Sequence, residues 1–192
     1  MLGISNSIRI NGNLPISYSG IDSNAQAFIS AAGITNPTQQ NAINQLVIDL
    51  KTYGLWTKMK AVYPMVGGTS SSCKYNLVNP QDTDAAFRLV FNGGWTFDNN
   101  GATPNGTNAY ADTMLNDLSI MSDSSNSLGF YSRTNNSISN CNDIGAYDGT
   151  MFTGLRFNNN NSNSFAHNGQ DGASGAVVIF NSTLSSAAFL TQ

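Results

Sequence analysis

Apolar positions follow a helical period between residues 25 and 50 and shorter, strand-like spacings after residue 65. Ala25 to Ala32 is alanine-rich and stops at Gly33, a residue suited to the left-handed turn that closes a helix. Asn36-Pro37 then opens a second helix: Asn36 can cap, Pro37 fits the first helical position, and Gln39 stands where a capping box places Gln. Ile43, Leu46, Val47 and Leu50 follow at i, i+3, i+4 and i+7 as one apolar stripe, and Gly54 ends it. Leu55-Trp56 and Met59 predict a further helical turn, and Asn79-Pro80-Gln81-Asp82 leading into Ala85-Ala86-Phe87 predicts another helix start. Gly67-Gly68 and Ser70-Ser71-Ser72 read as a loop.

Alternation takes over elsewhere. Ile8-Arg9-Ile10, the turn signal Asn11-Gly12, and Ile16-Ser17-Tyr18 predict short extended segments within residues 1–20. Leu89-Val90-Phe91, Asn92-Gly93-Gly94 and Trp95-Thr96-Phe97 read as strand, turn, strand. Further strands are expected at Leu128 to Ser132, Met151 to Phe157, Ala176 to Phe180 and Ala187 to Leu190, a spacing that suits an antiparallel sandwich. The run from Asn158 to Ser164 is low-complexity and is expected as an exposed loop. The fold class is therefore α+β and mainly β: an extended segment over 1–20, a helical docking block over 21–88, and a β-sandwich over 89–192.

Composition narrows the function classes. Asn, Ser and Gly number 27, 23 and 18 of 192 residues, and all 11 acidic residues are Asp. Charged residues are 10% of the chain, which argues against a long charged bundle or coiled coil, whose exposed positions need Glu and Lys. A net charge of −3 argues against nucleic-acid binding driven by charge. No apolar run reaches the ~20 residues of a membrane span. Arg9 is isolated and no apolar stretch follows it, so no signal-peptide pattern is present; the chain is expected either to stay in the cytoplasm where it is made or to be exported by a route the sequence does not display. Residues 1–90 carry six basic and four acidic side chains, whereas residues 91–192 carry two and seven. Cys73 and Cys141 stand 68 positions apart without a CxxC pattern and are expected as two buried thiols, with a disulfide left open.

Several blocks taken together carry a resemblance. They are Ala27-Phe28-Ile29 with Ala31-Ala32-Gly33-Ile34-Thr35, and Tyr53-Gly54-Leu55-Trp56-Thr57-Lys58-Met59-Lys60-Ala61 with Tyr63-Pro64-Met65-Val66-Gly67-Gly68-Thr69. Asp84-Ala85-Ala86-Phe87-Arg88-Leu89 with Gly93-Gly94-Trp95-Thr96 follow, then Pro104-Asn105-Gly106-Thr107-Asn108 with Tyr110-Ala111-Asp112-Thr113, and Tyr131-Ser132-Arg133-Thr134-Asn135. Over about residues 25–135 this order resembles a module of virion structural proteins of tailed bacteriophages. The resemblance implies a helical block ahead of a jelly-roll domain similar to laminin-G and concanavalin A folds. It implies a capsid or tail-appendage role, with other virion subunits and copies of the same chain as partners. The resemblance implies further strands where this chain stops, so either the sandwich is small or its last edge, at the apolar Ala187-Ala188-Phe189-Leu190, is covered by another subunit, the reading favoured here.

Catalytic chemistry finds little to work with. Glycosidases need a placed carboxylate pair; Asp82 and Asp84 are close in sequence but read as helix-start residues. His167, the sole histidine, lies beside the Asn-rich run and is expected in an exposed loop, a poor place for a triad base. No catalytic residue is assigned, and the chain is expected not to be an enzyme. No cofactor is expected; calcium is the minor metal reading, through the hard oxygens of Asp98, Asn100 and Asp112, but the glycine spacing is not that of an EF-hand and such Asn/Asp/Gly clusters are also ordinary turns. The alternative function is carbohydrate recognition of a host surface glycan, with Trp95, Tyr110 and Tyr131 as aromatic platforms beside amide-rich loops; Trp95, in an alternating strand, also reads as core. Lys51, Lys58 and Lys60 form a local basic group, read as a solvated face with an acidic partner as the minor reading.

Overall fold

The computed structural model describes residues 20–115, 127–131, 133, 144–147, 152–156, 165–169, 176–181 and 186–191. Residues 1–19, Cys141 and the run from Asn158 to Ser164 lie outside the described residues. The chain divides into two compact units, Met1–Thr113 and Met114–Gln192. Four of the strands that follow residue 89 fall in the first unit, with the helices.

Two helices, α1 (Ser23–Ala32) and α2 (Pro37–Thr52), form the heart of the first unit. Asp22 caps α1 by accepting a hydrogen bond from the Asn24 N–H at 2.9 Å. Gly33, at φ 64°, sits in the left-handed region that a residue without Cβ adopts at no steric cost. It closes the helix with the paired bonds Ile34 N–H to Ile29 O (3.0 Å) and Gly33 N–H to Ser30 O (3.3 Å). The same pattern ends α2, where Leu55 N–H reaches Leu50 O at 2.8 Å and Gly54 N–H reaches Lys51 O at 3.0 Å. At the other end of α2, Asn36 Oδ1 accepts from both Thr38 and Gln39 N–H.

Between the helices Ala25, Phe28, Ile29, Ala32, Ile34, Ile43, Val47 and Leu77 form one buried cluster, with Leu46, Trp56, Val62, Val66 and Tyr75 packed against it. Of the predicted stripe on α2, Ile43 and Val47 are fully buried. Complete burial of side chains this size contributes about 1.5–3 kcal/mol each. The segment from Met59 to Leu89 then runs irregularly over this core. It contains a one-turn helix, α3 (Ser70–Cys73), where a loop was expected. Thr69 and Ser72 build a reciprocal capping box there, which a run of hydroxyl residues can supply without any Glu or Gln. The helix expected to follow Asp82 is only a 3-10 turn, Asp84–Ala86, closed by Phe87 at φ 58°.

Four short strands complete the unit: β1 (Val90–Asn92), β2 (Trp95–Asp98), β3 (Gly101–Pro104) and β4 (Tyr110–Asp112). β1 and β2 were expected to form a hairpin across Gly93-Gly94. Each strand exists, but β1 pairs with β4 and β2 pairs with β3, both antiparallel.

The second unit holds β5 (Ser127–Tyr131), β6 (Ile144–Tyr147), β7 (Phe152–Arg156), β8 (Phe165–Gly169), β9 (Ala176–Asn181) and β10 (Ser186–Thr191). They form two three-stranded antiparallel sheets, ordered β6-β7-β8 and β5-β10-β9. β7 approaches both β5 and β10, and β8 approaches β9. The terminal strand differs from expectation: β10 is central in its sheet, bonded to β5 on one side and β9 on the other. Both of its backbone edges are thereby paired within the chain. Among the described residues the structure is a mixed α+β arrangement of a few helices with small antiparallel sheets. No helix among the described residues is long and apolar enough to cross a membrane.

Candidate functional site

Trp95, Tyr110 and Tyr131 were the aromatic candidates, and the structure gives them different settings. Trp95 points from β2 into a three-ring cluster. Its ring meets Phe91 edge-on at 5.2 Å and lies beside Phe97 at 6.3 Å, while Phe91 and Phe97 meet edge-on at 4.9 Å. Its indole Nε1–H donates to Asn92 O at 2.9 Å. The half-buried ring is thus held on its faces by packing and at its polar tip by the backbone, the environment of a packing residue. Tyr110 stands on β4, cross-strand from Asn92, and is 61% exposed. Tyr131 ends β5 in the second unit, cross-strand from Ser186, and is 67% exposed. The two tyrosines are open aromatic surfaces on separate units, and Trp95 is on a different sheet from either.

Beside Tyr110, the loop between β3 and β4 is built from amides. Asn105 Oδ1 accepts from Thr107 and Asn108 N–H at 3.0 and 3.1 Å, and its Nδ2–H donates to Asn108 Oδ1 at 2.7 Å. The loop clasps the β1–β2 connection: Asn105 N–H donates to Gly94 O at 2.9 Å, and Gly94 N–H donates to Asn108 Oδ1 at 3.3 Å. A Cβ on Gly93 (φ 75°) would lie 2.2 Å from Asn108 O, and one on Gly94 would lie 2.4 Å from Asn105 Nδ2. This clasp is why β1 and β2 do not pair: the diglycine serves as a seat for the other loop instead of a hairpin turn.

The calcium candidates are dispersed along two strand ends. Asp98 and Gly101 are register partners in β2–β3, so Asn99-Asn100 is a two-residue hairpin turn. Asp98 Oδ1 accepts from Asn100 N–H at 2.7 Å, the bond of an Asx turn. Asp112 pairs with Val90 in the other sheet. Among the described residues, no group of three or more His, Cys, Asp or Glu side chains is arranged to hold a metal.

Asp82 and Asp84 were expected at a helix start; Asp84 does open the 3-10 turn, Asp82 precedes it, and both carboxylates engage basic side chains. Lys74 Nζ bonds Asp82 Oδ2 at 2.5 Å, and Arg88 bonds Asp84 Oδ1 at 2.8 Å while lying 3.6 Å from Asp82. The Lys74 hydrogen bond holds the Asp82 carboxyl below the usual aspartate range. His167, expected in a loop, lies within β8 opposite Gly154. Its stretch Phe165-Ala166-His167 has strand alternation, which the neighbouring Asn run masks in the sequence. Cys73 is buried as a free thiol, donating to Val66 O at 3.4 Å, and burial raises its pKa. That is the setting of an inert cysteine.

Two polar centres had no signal in the sequence. Asn76 is 1% exposed, and every arm of its amide is used. Its Oδ1 accepts from Val62 and Val78 N–H at 3.0 Å each, and its Nδ2 donates to Lys60 O and Ala86 O at 3.2 and 3.1 Å. Lys51, at the end of α2, reaches back to α1: its Nζ lies 2.7 Å from Asp22 Oδ1 and from Asn24 Oδ1, and 5.5 Å above the centre of the Trp56 ring. All three lysines of the group Lys51, Lys58, Lys60 are exposed, and Lys51 in addition ties the helices together. Compared with known proteins, the chain matches no family model, no curated protein and no solved structure.

Proposed function

We propose that this chain is a non-enzymatic structural component of a bacteriophage virion, in the capsid or a tail appendage, acting through contacts with other virion subunits and copies of itself. In this reading the capped helical block is the docking end. The two three-stranded sheets are the halves of a small jelly-roll similar to laminin-G and concanavalin A domains. The observation that supports it most is where the polar side chains spend their hydrogen bonds. Asn36, Asn76, Asp98, Asn105 and Asn108 all bond the chain's own backbone and fix turns and crossings. Such a chain is built to hold a shape and present a surface. Mass spectrometry of purified, washed particles tests the reading. The chain is expected at a fixed copy number relative to the shell protein; its loss on washing would overturn the proposal.

A second reading has its own observation. Tyr110 is an open ring next to an amide-rich loop, the pairing of groups a sugar face and its hydroxyls require. A host surface glycan is the ligand this reading expects. Binding on a glycan array that Tyr110→Ala abolishes, with thermal stability unchanged, would favour it.

A further inference from the structure

An asparagine followed by glycine carries its own reagent: the glycine's backbone nitrogen is close enough to the asparagine Cγ to close a ring on it, and no side chain shields that nitrogen. The chain holds five such pairs, and three of them, Asn92-Gly93, Asn100-Gly101 and Asn105-Gly106, lie where their surroundings are described. The local chemistry is the same in all three, but the fold treats them differently. Asn92 is half-buried in β1, opposite Tyr110, with its Nδ2–H donating to Val90 O at 3.1 Å. Gly93 after it is crowded by Asn108 O. Asn100 sits in the tight β2–β3 turn, its N–H tied to Asp98 Oδ1 at 2.7 Å, and Gly101 is buried opposite Asp98. Ring closure must turn the backbone between the two residues, and at both of these sites a strand ladder holds one of the pair. Asn105 and Gly106 lie outside any ladder, both exposed, with Gly106 at φ 75°. The Gly106 N–H makes no hydrogen bond among the described residues. Asn105 Oδ1 accepts from the Thr107 and Asn108 N–H groups at 3.0 and 3.1 Å, two donors already aimed at the oxygen on which negative charge builds when Cγ is attacked.

We infer that Asn105 is a self-modification site, where the folded chain converts a side-chain amide to a carboxylate and so opens the clasp on Gly93-Gly94. Hydroxide removes the Gly106 amide proton, and the nitrogen attacks Asn105 Cγ. The new N–Cγ bond forms and the Cγ–Nδ2 bond breaks, as Nδ2 takes a proton from water and leaves as ammonia. Water then opens the cyclic imide at either carbonyl, giving aspartate or its isomer with the main chain routed through the side chain. Nothing is oxidised or reduced, and each event adds one negative charge to the net −3. The product does not hold the clasp. A carboxylate has no hydrogen to give Asn108 Oδ1, so two acceptors face each other where a 2.7 Å hydrogen bond stood. The Gly94 N–H shares that Oδ1 at 3.3 Å and loses its fixed partner. In the isomer, the lengthened main chain also displaces the Asn105 N–H from Gly94 O, 2.9 Å away in the intact loop. Conversion therefore releases the loop leading to Tyr110 and β4, irreversibly and at a rate the fold sets. The inference rests on neither functional reading above.

Tandem mass spectrometry of the purified full chain, aged at mildly alkaline pH either folded or in urea, tests it. In urea the three pairs are expected to convert at similar rates. In the folded chain Asn105 should convert at least about tenfold faster than Asn92 or Asn100, and faster still as hydroxide concentration rises. Amide hydrogen exchange reads the consequence: over residues 105–110 it should increase in step with conversion in aged wild type. Asn105→Asp should show the same increase without ageing, while α1 and α2 stay protected in both, which confirms that the variant is folded. An Asn105 that remains an amide in the folded chain, or equal conversion at the three pairs in the folded chain, would overturn the inference. So would aged protein and Asn105→Asp that both exchange like fresh wild type, since the clasp would then survive the carboxylate.

Discussion

Removing the Asn76 side chain would strand two backbone N–H groups and two carbonyls at once, in a site closed to water. Each buried unsatisfied group costs about 1–3 kcal/mol. Asn76→Ala is therefore expected to destabilise the first unit by at least about 3 kcal/mol in urea denaturation. Asn76→Asp should do no better, since a carboxylate cannot donate to Lys60 O and Ala86 O. Asp22 makes a different case, because its carboxylate both caps α1 and binds Lys51. The Lys51 hydrogen bond, ahead of opposing burial, lowers its pKa from the ordinary 3.8. A depressed folded pKa gives stability that is fully present above the unfolded value and is lost as pH falls through the folded one. Acid unfolding below about pH 4 should thus carry an Asp22 component that Asp22→Asn removes. At neutral pH Asp22→Asn keeps a capping oxygen and loses only the ion pair, at a cost of ~1 kcal/mol or less, whereas Asp22→Ala also loses the cap, for about 1 kcal/mol more. Melting curves of the two variants at neutral and acid pH separate these contributions.

At the scale of elements, the helices were legible and the strand pairing was not. The ends of α1 and α2 are written in neighbouring residues: Asn36-Pro37 for a start, Gly33 and Gly54 for the two stops. Capping is a local transaction between a side chain and backbone a few positions away, so local sequence suffices to find it. Pairing is non-local. Val90-Phe91 and Trp95-Thr96-Phe97 were identified as strands by composition, but their partners are set by an Asn-rich loop 11–15 positions on, through bonds no local pattern announces. For the same reason Trp95 could be named as a candidate platform while its bond to Asn92 and its contacts with Phe91 and Phe97 could not be foreseen. Asn76 was hidden differently, since nothing in Tyr75-Asn76-Leu77 sets a buried junction apart from the chain's 26 other asparagines. The clasp makes a sharp prediction. Gly93→Ala places a methyl 2.2 Å from Asn108 O in a backbone conformation of φ 75° that alanine disfavours. It should cost about 2–4 kcal/mol, combining steric displacement with left-handed strain. Amide hydrogen exchange should rise in 104–110 and stay unchanged in α1 and α2, because the clasp and the helical core share no hydrogen bond.

For the whole molecule, the division at Thr113 changes what the pieces can do alone. A boundary at residue 89 would separate the helices from β1–β4, leaving those strands without Lys74, whose carbonyl accepts the Leu89 N–H at 2.8 Å. It would also cut beside the Tyr63 hydroxyl's bond to Phe87 O, at 2.5 Å, which braces the left-handed turn leading into β1. With the boundary at Thr113, the Leu89–Lys74 bond and the Phe87 turn that leads into β1 fall in the same piece as the buried cluster and the Asn76 junction. Unfolding is cooperative where buried contacts are shared, and here they are shared across the helices, the irregular segment and the start of β1. A fragment of residues 1–113 is therefore expected to be soluble and to melt in a single transition, and a fragment of residues 1–88 to melt broadly or not at all. Differential scanning calorimetry of the two distinguishes the boundaries: equal calorimetric and van't Hoff enthalpies for the longer fragment alone support the division at Thr113, and a cooperative transition in the shorter one would move the boundary back to residue 88. Asn76→Ala in the longer fragment should lower its midpoint as it does in the full chain, because every partner of Asn76 lies between Lys60 and Ala86.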